Sequence, residues 1–322
     1  MIFRDHTLWP CYVRPLDDEL FSSWYMRICG AHLTKSHSFS KYFFENTPIW
    51  NRDIDQMPKK IIEQKLLKHT TLEIEQVRSL FLSSYEGILF ECYSNSNPII
   101  NNIGVYHRIR KRYGLLYCPG CFDSGELYYK KKWRLKTSVA CTSCGLRLRE
   151  RCINCGSPIC FHRLENGYKN SHLKDSMSKC YNCLRDLRSG KVFAIAEPDE
   201  LDFQNYIDLT ISNGYNEHCT YSFQYFEFLI TMQRCILTNS KLWSRIKDGV
   251  VKQYSKEFSV PKFHPVTLEQ NRESLLIVHD LLRSWPENFS GFCKANNIRY
   301  SDMTKDMSDP PFFLYDLFRK IY

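Results

Sequence analysis

Four pairs of cysteines, each pair separated by two residues, crowd the middle of this chain: Cys118-Pro119-Gly120-Cys121, Cys141-Thr142-Ser143-Cys144, Cys152-Ile153-Asn154-Cys155 and Cys180-Tyr181-Asn182-Cys183. A two-residue spacer lets a tight turn aim both sulfurs at one ion. Two such knuckles complete a tetrahedral four-sulfur shell that leaves no position open to a substrate. The chemistry expected is therefore structural: two Zn2+ ions held by Cys118, Cys121, Cys141, Cys144, Cys152, Cys155, Cys180 and Cys183. Sequential pairing joins knuckles 19 residues apart in the first site and 24 apart in the second. A cross-brace, in which the first and third knuckles share an ion, is the alternative. Cys160, His162 and His172 stand near enough to replace a ligand, and their plainer reading is as neighbours of the sites. Pro119-Gly120 and Gly156 supply the turn chemistry that knuckles need. A thioredoxin-like redox pair would sit in a βαβ pattern, and none surrounds these residues.

The metal has folding work to do. Between Asp123 and Ala140 the apolar residues are Leu127, Tyr128, Tyr129, Trp133, Leu135 and Val139, enough for a small hairpin on a metal and too few for a core. Structural zinc supplies roughly 10–16 kcal/mol of apparent binding free energy, which becomes folding free energy.

Charge is concentrated on the same segment. Residues 106–191 hold 19 Lys plus Arg against 6 Asp plus Glu, whereas the rest of the chain holds 25 against 29. The cations Arg108, Arg110, Lys111, Arg112, Lys130, Lys131, Lys132, Arg134, Lys136, Arg147, Arg149 and Arg151 alternate with Tyr106, Tyr113, Tyr128, Tyr129 and Trp133. Donors interleaved with aromatic faces suit a nucleic-acid backbone and its bases. A patch docking an acidic protein, or a merely solvated basic surface, are the other readings of the same residues.

The elements that must position this module read as helices. Leu16, Leu20, Phe21, Trp24 and Ile28 mark one apolar face that Gly30 would end, and a second helix follows Ser36 or Ser38. Ile61, Ile62, Leu66 and Leu67 form another stripe. Thr70 followed by Glu73 reads as a capping box opening a helix that contains Leu72, Val77, Leu80 and Phe81. Helix, short break, helix is a helix-turn-helix outline, although Glu73, Glu75 and Gln76 at the start of its second helix suit packing or protein docking better than phosphate approach. Beyond the cysteines, Phe223, Phe226, Ile230 and Leu237 share one helix. Thr267 with Gln270 caps another that carries Leu275, Leu276, Leu282 and Trp285 before Pro286.

Polar joints at 94–104 and 197–200 divide the chain into an N-terminal helical region (1–105), a basic double zinc-binding module (106–196) and a C-terminal helical domain (197–322). The fold class expected is mainly α, with a helix-turn-helix-like N-terminal region, a central double zinc ribbon carrying short β hairpins, and a helical C-terminal domain.

Several functions are excluded at this stage. No apolar run approaches the ~18 residues of a membrane span. The opening residues lack an apolar signal core, and 15 cysteines is an odd number for a disulfide framework, so reduced thiols in a cytoplasmic protein are expected. Asp17, Asp18 and Glu19 are not an acid triad, because consecutive helical side chains point about 100° apart. They read instead as the acidic first turn of a helix. No phosphate-binding glycine loop, nucleophile elbow or HExxH is found, and Cys160 has no evident general base at fixed spacing. No catalytic residue is assigned and an enzyme is not expected.

Two stretches carry a resemblance. Pro15-Leu16-Asp17-Asp18-Glu19-Leu20-Phe21-Ser22-Ser23-Trp24 is similar to the opening of the TniQ/TnsD family of transposon target-selection proteins. Tyr117 to Cys121, Trp133-Arg134-Leu135, Cys141, Cys144, Leu146 and Cys152 to Gly156 resemble that family's metal region in order and spacing. Cys144 stands where the family commonly has histidine, a change zinc accepts. The resemblance implies a non-catalytic adaptor, of the short kind found in CRISPR-associated transposons. Its partners would be an AAA+ transposition regulator (TnsC-like) and either a CRISPR effector ribonucleoprotein or target DNA, and it could pair with a second copy as a homodimer. A stand-alone sequence-specific DNA-binding protein is the rival reading.

Overall fold

A computed structural model of the chain describes residues 8–45, 47–165, 177–188, 193–260, 265–305, 307 and 309–321. The fold is mainly α, with a few short strands in small hairpins. It divides into two compact units, the first comprising Met1–Ser84 with Ile100–Ala196 and the second Tyr85–Ile99 with Glu197–Tyr322. These units cut the chain differently from the three segments read from sequence, since residues on both sides of position 105 share the first unit.

In the first unit, α1 (Phe21–Ala31) buries Phe21, Trp24, Tyr25 and Ile28. Burial of each such side chain contributes roughly 1.5–3 kcal/mol. Phe21 stacks on Phe81 at 4.8 Å, and Tyr25 packs against Phe39 of α2 (Ser36–Phe43) at 5.9 Å. The helix begins later than its apolar pattern suggested. Leu16 lies outside it, 40% exposed, and no acidic residue occupies its first turn. Asp18 takes φ 52°, which ends any helical run there, and Glu19 pairs instead as an antiparallel bridge with Lys130.

The helix pair α3 (Lys60–His69) and α4 (Ile74–Ser79) is present, but its capping chemistry is shifted by one turn. Thr70 closes α3, its hydroxyl donating to the Leu66 carbonyl at 2.7 Å. The capping box that opens α4 is Glu73 with Gln76, so Leu72 precedes the helix. Two strand pairs follow, β1 (Val105–Tyr106) with β2 (Ile109–Arg110) and β3 (Ala140–Cys141) with β4 (Leu146–Arg147), both antiparallel. Between them lies the short α5 (Pro119–Asp123).

The second unit is a helical assembly of α6 (Pro198–Asn213), α7 (Ser222–Leu237), α8 (Ser244–Tyr254), α9 (Leu268–Leu282), α10 (Glu287–Ala295), α11 (Tyr300–Thr304) and α12 (Phe312–Ile321). Residues 197–200, read above as a joint, are the start of α6: Glu197 and Glu200 form its capping box and Pro198 opens its first turn. Thr267 and Gln270 cap α9 as expected. The apolar faces of α7 and α9 form the centre, with Phe228, Leu229 and Met232 buried beside Leu275, Val278 and Leu281. Gln233 on α7 donates to the Ser274 hydroxyl on α9 at 3.0 Å, satisfying both buried polar groups. Among the described residues no helix is long and apolar enough to cross a membrane.

Candidate metal centres and basic surface

The eight knuckle cysteines gather into two groups, Cys118, Cys121, Cys141 and Cys144 in one and Cys152, Cys155, Cys180 and Cys183 in the other, each with its sulfurs within 4.8 Å of one another. The pairing is sequential and no cross-brace forms. All four knuckles close the same way, through a backbone N–H donated to the carbonyl of the first cysteine four residues earlier. Phe122 bonds Cys118 at 3.2 Å, Gly145 bonds Cys141 at 2.9 Å, Gly156 bonds Cys152 at 2.8 Å and Leu184 bonds Cys180 at 2.9 Å. The last three closing residues take positive φ, 64° at Gly145, 69° at Gly156 and 60° at Leu184.

The donor set fits a tetrahedral ion. A metal–sulfur bond of ~2.3 Å places tetrahedral ligands ~3.8 Å apart. The sulfurs of Cys121 lie 3.5 Å from Cys141 and 3.6 Å from Cys144, while Cys152 and Cys183 are 3.7 Å apart and Cys155 and Cys180 3.6 Å. Burial pushes the Cys180 thiol up to about 12 and also raises those of Cys144 and Cys152. Cys141, lowered by its contacts with Cys118 and Cys121, and Cys155, brought down to about 6 against its burial by hydrogen bonds with Ser157, shift the other way. Each group thus mixes thiol and thiolate sulfurs that a cation would draw together. Each group could therefore hold one metal ion.

Cys160 and His162 belong to neither shell. His162 is buried, stacked on Trp50 with centroids 4.1 Å apart, and its Nε2 lies 2.8 Å from the Arg108 carbonyl. Cys160 lies 3.7 Å from the same ring. Burial lowers the His162 pKa and raises that of Cys160, so both are neutral packing groups. His172 lies outside the described residues.

The basic residues separate into three sets. Arg108, Lys111, Arg112 and Arg151 are exposed. Arg108, Lys111 and Arg112 lie along the β1–β2 hairpin and the residues just after it, Lys111 within 6.0 Å of the 61% exposed Tyr106. Arg151, paired with Glu150, stacks on Tyr113 at 3.7 Å to extend this basic, aromatic strip. Lys130, Lys132, Lys136, Arg147 and Arg149 are half-buried. Lys130 is engaged with Glu126 at 3.2 Å, and the Arg149 guanidinium lies over Phe193 at 5.5 Å.

Arg110, Lys131 and Arg134 are buried, which corrects their reading as surface contacts. Arg134 has no exposed side-chain surface. It grips Asp53 through two guanidinium nitrogens, at 3.1 and 2.5 Å, and donates to the carbonyls of Gly114 at 3.0 Å and Asn101 at 2.9 Å. Asp55 lies 3.5 Å from the same group and accepts from the Ser22 amide and hydroxyl, each at 2.8 Å. Burial, then the charge of Asp53, raises the Asp55 pKa against the pull of Arg134.

Sequence reasoning missed what the residues before α1 do. The Asp18 carboxylate accepts from the Lys132 amide at 3.1 Å, and its carbonyl accepts from the Lys131 amide at 2.6 Å. Buried Glu19 accepts from the Ser23 hydroxyl at 2.9 Å and pairs with Arg27 at 2.5 Å. Ser23 in turn accepts from the Tyr129 amide at 3.0 Å, while the Leu20 amide donates to the Tyr129 carbonyl at 2.9 Å. This short polar stretch is a clasp that fastens α1 to the segment between the first two knuckles. A lone sequence holds no sign of such a partner more than 100 residues away.

Helices clasped to a cysteine module, whose charged core is spent on internal pairing, define a scaffold with two sites that could each hold a metal ion. Residues 10–148, which hold both the clasp and the first cysteine group, match the model of the TniQ family. The family is a non-catalytic one of transposition proteins, with a role in target selection or DNA binding. No curated protein matches the chain.

Proposed function

We propose that this protein is a non-enzymatic adaptor in transposition, linking a target-recognition complex to an AAA+ regulator of the TnsC type, with two Zn2+ ions as structural cofactors. The observation that carries this reading is the match of residues 10–148 to the TniQ family. In each site the zinc, when bound, supplies a fixed tetrahedral cross-link between two knuckles. The chain's own residues do the rest. The 18–23 clasp orients α1, the Arg134 pairs hold 101, 114 and 53 together, and the β1–β2 hairpin presents its cations. The target-recognition partner is a CRISPR effector ribonucleoprotein or target DNA, and the place of action is the cytoplasm.

The split of the basic residues supports an adaptor over a stand-alone reader of DNA. Among the described residues of the basic module six cations are exposed, Arg108, Lys111, Arg112, Arg151, Lys179 and Arg185. They support about six phosphate contacts, so log affinity of the module for duplex DNA should fall against log salt with a slope no steeper than about −5. The helix pair α3–α4 adds little, because α4 has six residues and opens on Glu73 and Glu75. We read it as a packing or protein-docking unit. Purification from the native host, with mass spectrometry of retained proteins and sequencing of retained nucleic acid, tests the proposal. Recovery of an AAA+ ATPase with a ribonucleoprotein supports it. One enriched duplex, no ATPase and a salt slope far steeper than about −5 would overturn it in favour of a sequence-specific DNA-binding protein.

A further inference from the structure

Residues 197–322, the larger part of the second unit, lie outside the residues matched to the family and contain a built polar cavity. It is about 280 Å3 in volume, framed by α6, α9 and the loop before α7, and lined by Tyr206, Glu217, His218, His279, Asp202 and Arg283 among others. The His218 side chain is only 4% exposed and lies flat on Tyr225, with centroids 5.7 Å apart and planes 10° apart. Its Nδ1 is buried with no hydrogen-bond partner, as is the hydroxyl of Tyr225 stacked on it, while the Tyr206 hydroxyl interacts with Glu217. Buried polar atoms are almost always paired, and the unpaired Nδ1 of a cavity-lining imidazole marks hydrogen-bonding capacity held in reserve.

The arrangement is not slack. The Asn216 side-chain oxygen accepts from the amides of His218 at 3.0 Å and Cys219 at 3.2 Å, and the Ser222 amide returns to the Gly214 carbonyl at 2.9 Å. The loop is tied at both ends, and His218 is fixed within it.

Charge at the mouth selects the ligand. Glu217 is 63% exposed, with its carboxylate 3.5 Å from His218 Nε2, and Asp202 is exposed beside it. Against these two carboxylates stands one cation, Arg283, because burial pushes His279 down to about 4 and also lowers His218, leaving both rings neutral. A net negative mouth repels phosphate. The imidazoles and carboxylates do not converge as metal ligands, since the only such groups among the described residues are the two cysteine sets. The volume falls below the ~300–1,000 Å3 of pockets for drug-sized molecules. A planar cation with many N–H donors and a liking for aromatic faces meets all these conditions, and guanidinium is that group.

We propose that this cavity binds the arginine side chain of a protein partner, with the Glu217 carboxylate neutralising the guanidinium, the His218 imidazole accepting one of its N–H donors, and Tyr206 offering a face.

The test uses the full chain with 13C-labelled histidine, titrated at millimolar concentrations with N-acetyl-arginine methylamide, since one side chain binds weakly. Saturable shifts of the His218 and His279 signals are expected, assigned through His279→Gln. Glu217→Gln should weaken the response at least tenfold, Tyr206→Phe should weaken it less, and the neutral citrulline analogue should fail. Unchanged circular dichroism in each variant separates loss of binding from loss of fold. Absence of saturable shifts, or equal shifts with the citrulline analogue or inorganic phosphate, overturns the proposal. Tighter binding of free arginine than of the capped form would overturn the assignment to a partner's side chain. None of these outcomes depends on the transposition role.

Discussion

The two cysteine groups share ligands, sulfur spacing and knuckle closure, yet they sit in opposite surroundings. In the first, three of four cysteines are buried, one knuckle opens α5 and the other joins β3 to β4. Phe122, inside that knuckle, stacks on Tyr117 at 5.5 Å and meets Tyr129 edge-on at 5.3 Å. In the second group Cys155 is exposed and Cys183 half-buried, and the knuckles are plain turns returned by the bridges Arg151 to Pro158 and Lys179 to Asp186. Ile153 and Leu184 lie open to solvent at its rim. The lesson is that identical four-sulfur chemistry can be either part of a core or the sole support of an edge. Packing shares the load with the ion in the first site and does so little in the second.

Loss of a ligand in the first site should therefore have the largest effect. Cys121→Ser removes an ion worth roughly 10–16 kcal/mol of folding free energy and opens a packed aromatic core with it. The expected result is loss of one ion and collapse of soluble yield. Cys155→Ser should also lose one ion, while the helical circular dichroism and most of the yield survive. Elemental analysis and thermal melts of the two variants check this. Equal damage from both would erase the contrast, and full zinc content in either would remove that cysteine from its shell.

Chelation sharpens the same comparison without mutation. Zinc should leave in two kinetic phases, the faster from the site containing exposed Cys155, and Cys155→Ser should remove the fast phase alone. A single phase accounting for both ions would mean that the two sites open together.

Next in size is the charged core near the first site. Arg134→Met leaves buried Asp55 and half-buried Asp53 without this counter-charge, which costs about 3–5 kcal/mol. Arg112→Ala, on the exposed strip, should stay within about 0.5 kcal/mol of wild type yet flatten the salt slope for nucleic acid by about one unit. Urea denaturation and salt-dependent binding measure the two halves. A stability loss for Arg112→Ala as large as that for Arg134→Met would contradict the division of the basic residues by burial.

That division marks the limit of what the sequence could reveal. The gathering of the eight cysteines into two groups was legible because a two-residue spacer lets a tight turn aim both sulfurs at one point. The capping box of α9 was legible because both its residues are neighbours in sequence. Arg134 was not, since a cation in a basic run gives no sign that Asp53 and Asn101 will meet it from elsewhere. Asp17 to Glu19 failed for the same reason. Acidic residues ahead of an apolar stripe suit a helix N-terminus, and only the Tyr129 to Lys132 segment, brought up against them, turns them into a clasp. The Thr70 capping box was a choice between two overlapping patterns, and the local hydrogen bond from Thr70 back to Leu66 favours the later start. Arg108, Lys111, Arg112 and Arg151 could be separated from the buried three only once the hairpin was placed.

The smallest effect concerns the one knuckle closed by a residue other than glycine among those with positive φ. Gly145 and Gly156 take that conformation without a Cβ penalty, whereas Leu184 at φ 60° bears it. A left-handed conformation costs an L-residue roughly 1–2 kcal/mol, and glycine returns part of this through its freer unfolded chain, so Leu184→Gly should stabilise by about 0.5–1 kcal/mol. Little burial is lost, because Leu184 is 40% exposed. Folding of this edge is coupled to its ion, so the gain should appear as a zinc affinity two- to fivefold higher at the second site alone, read by competition with a chelator. Gly156→Ala should shift the same competition the opposite way, while the first site stays put in both variants. Weaker zinc binding in Leu184→Gly would mean that the leucine side chain holds the edge together, and that the second site is packed more like the first than its exposure indicates.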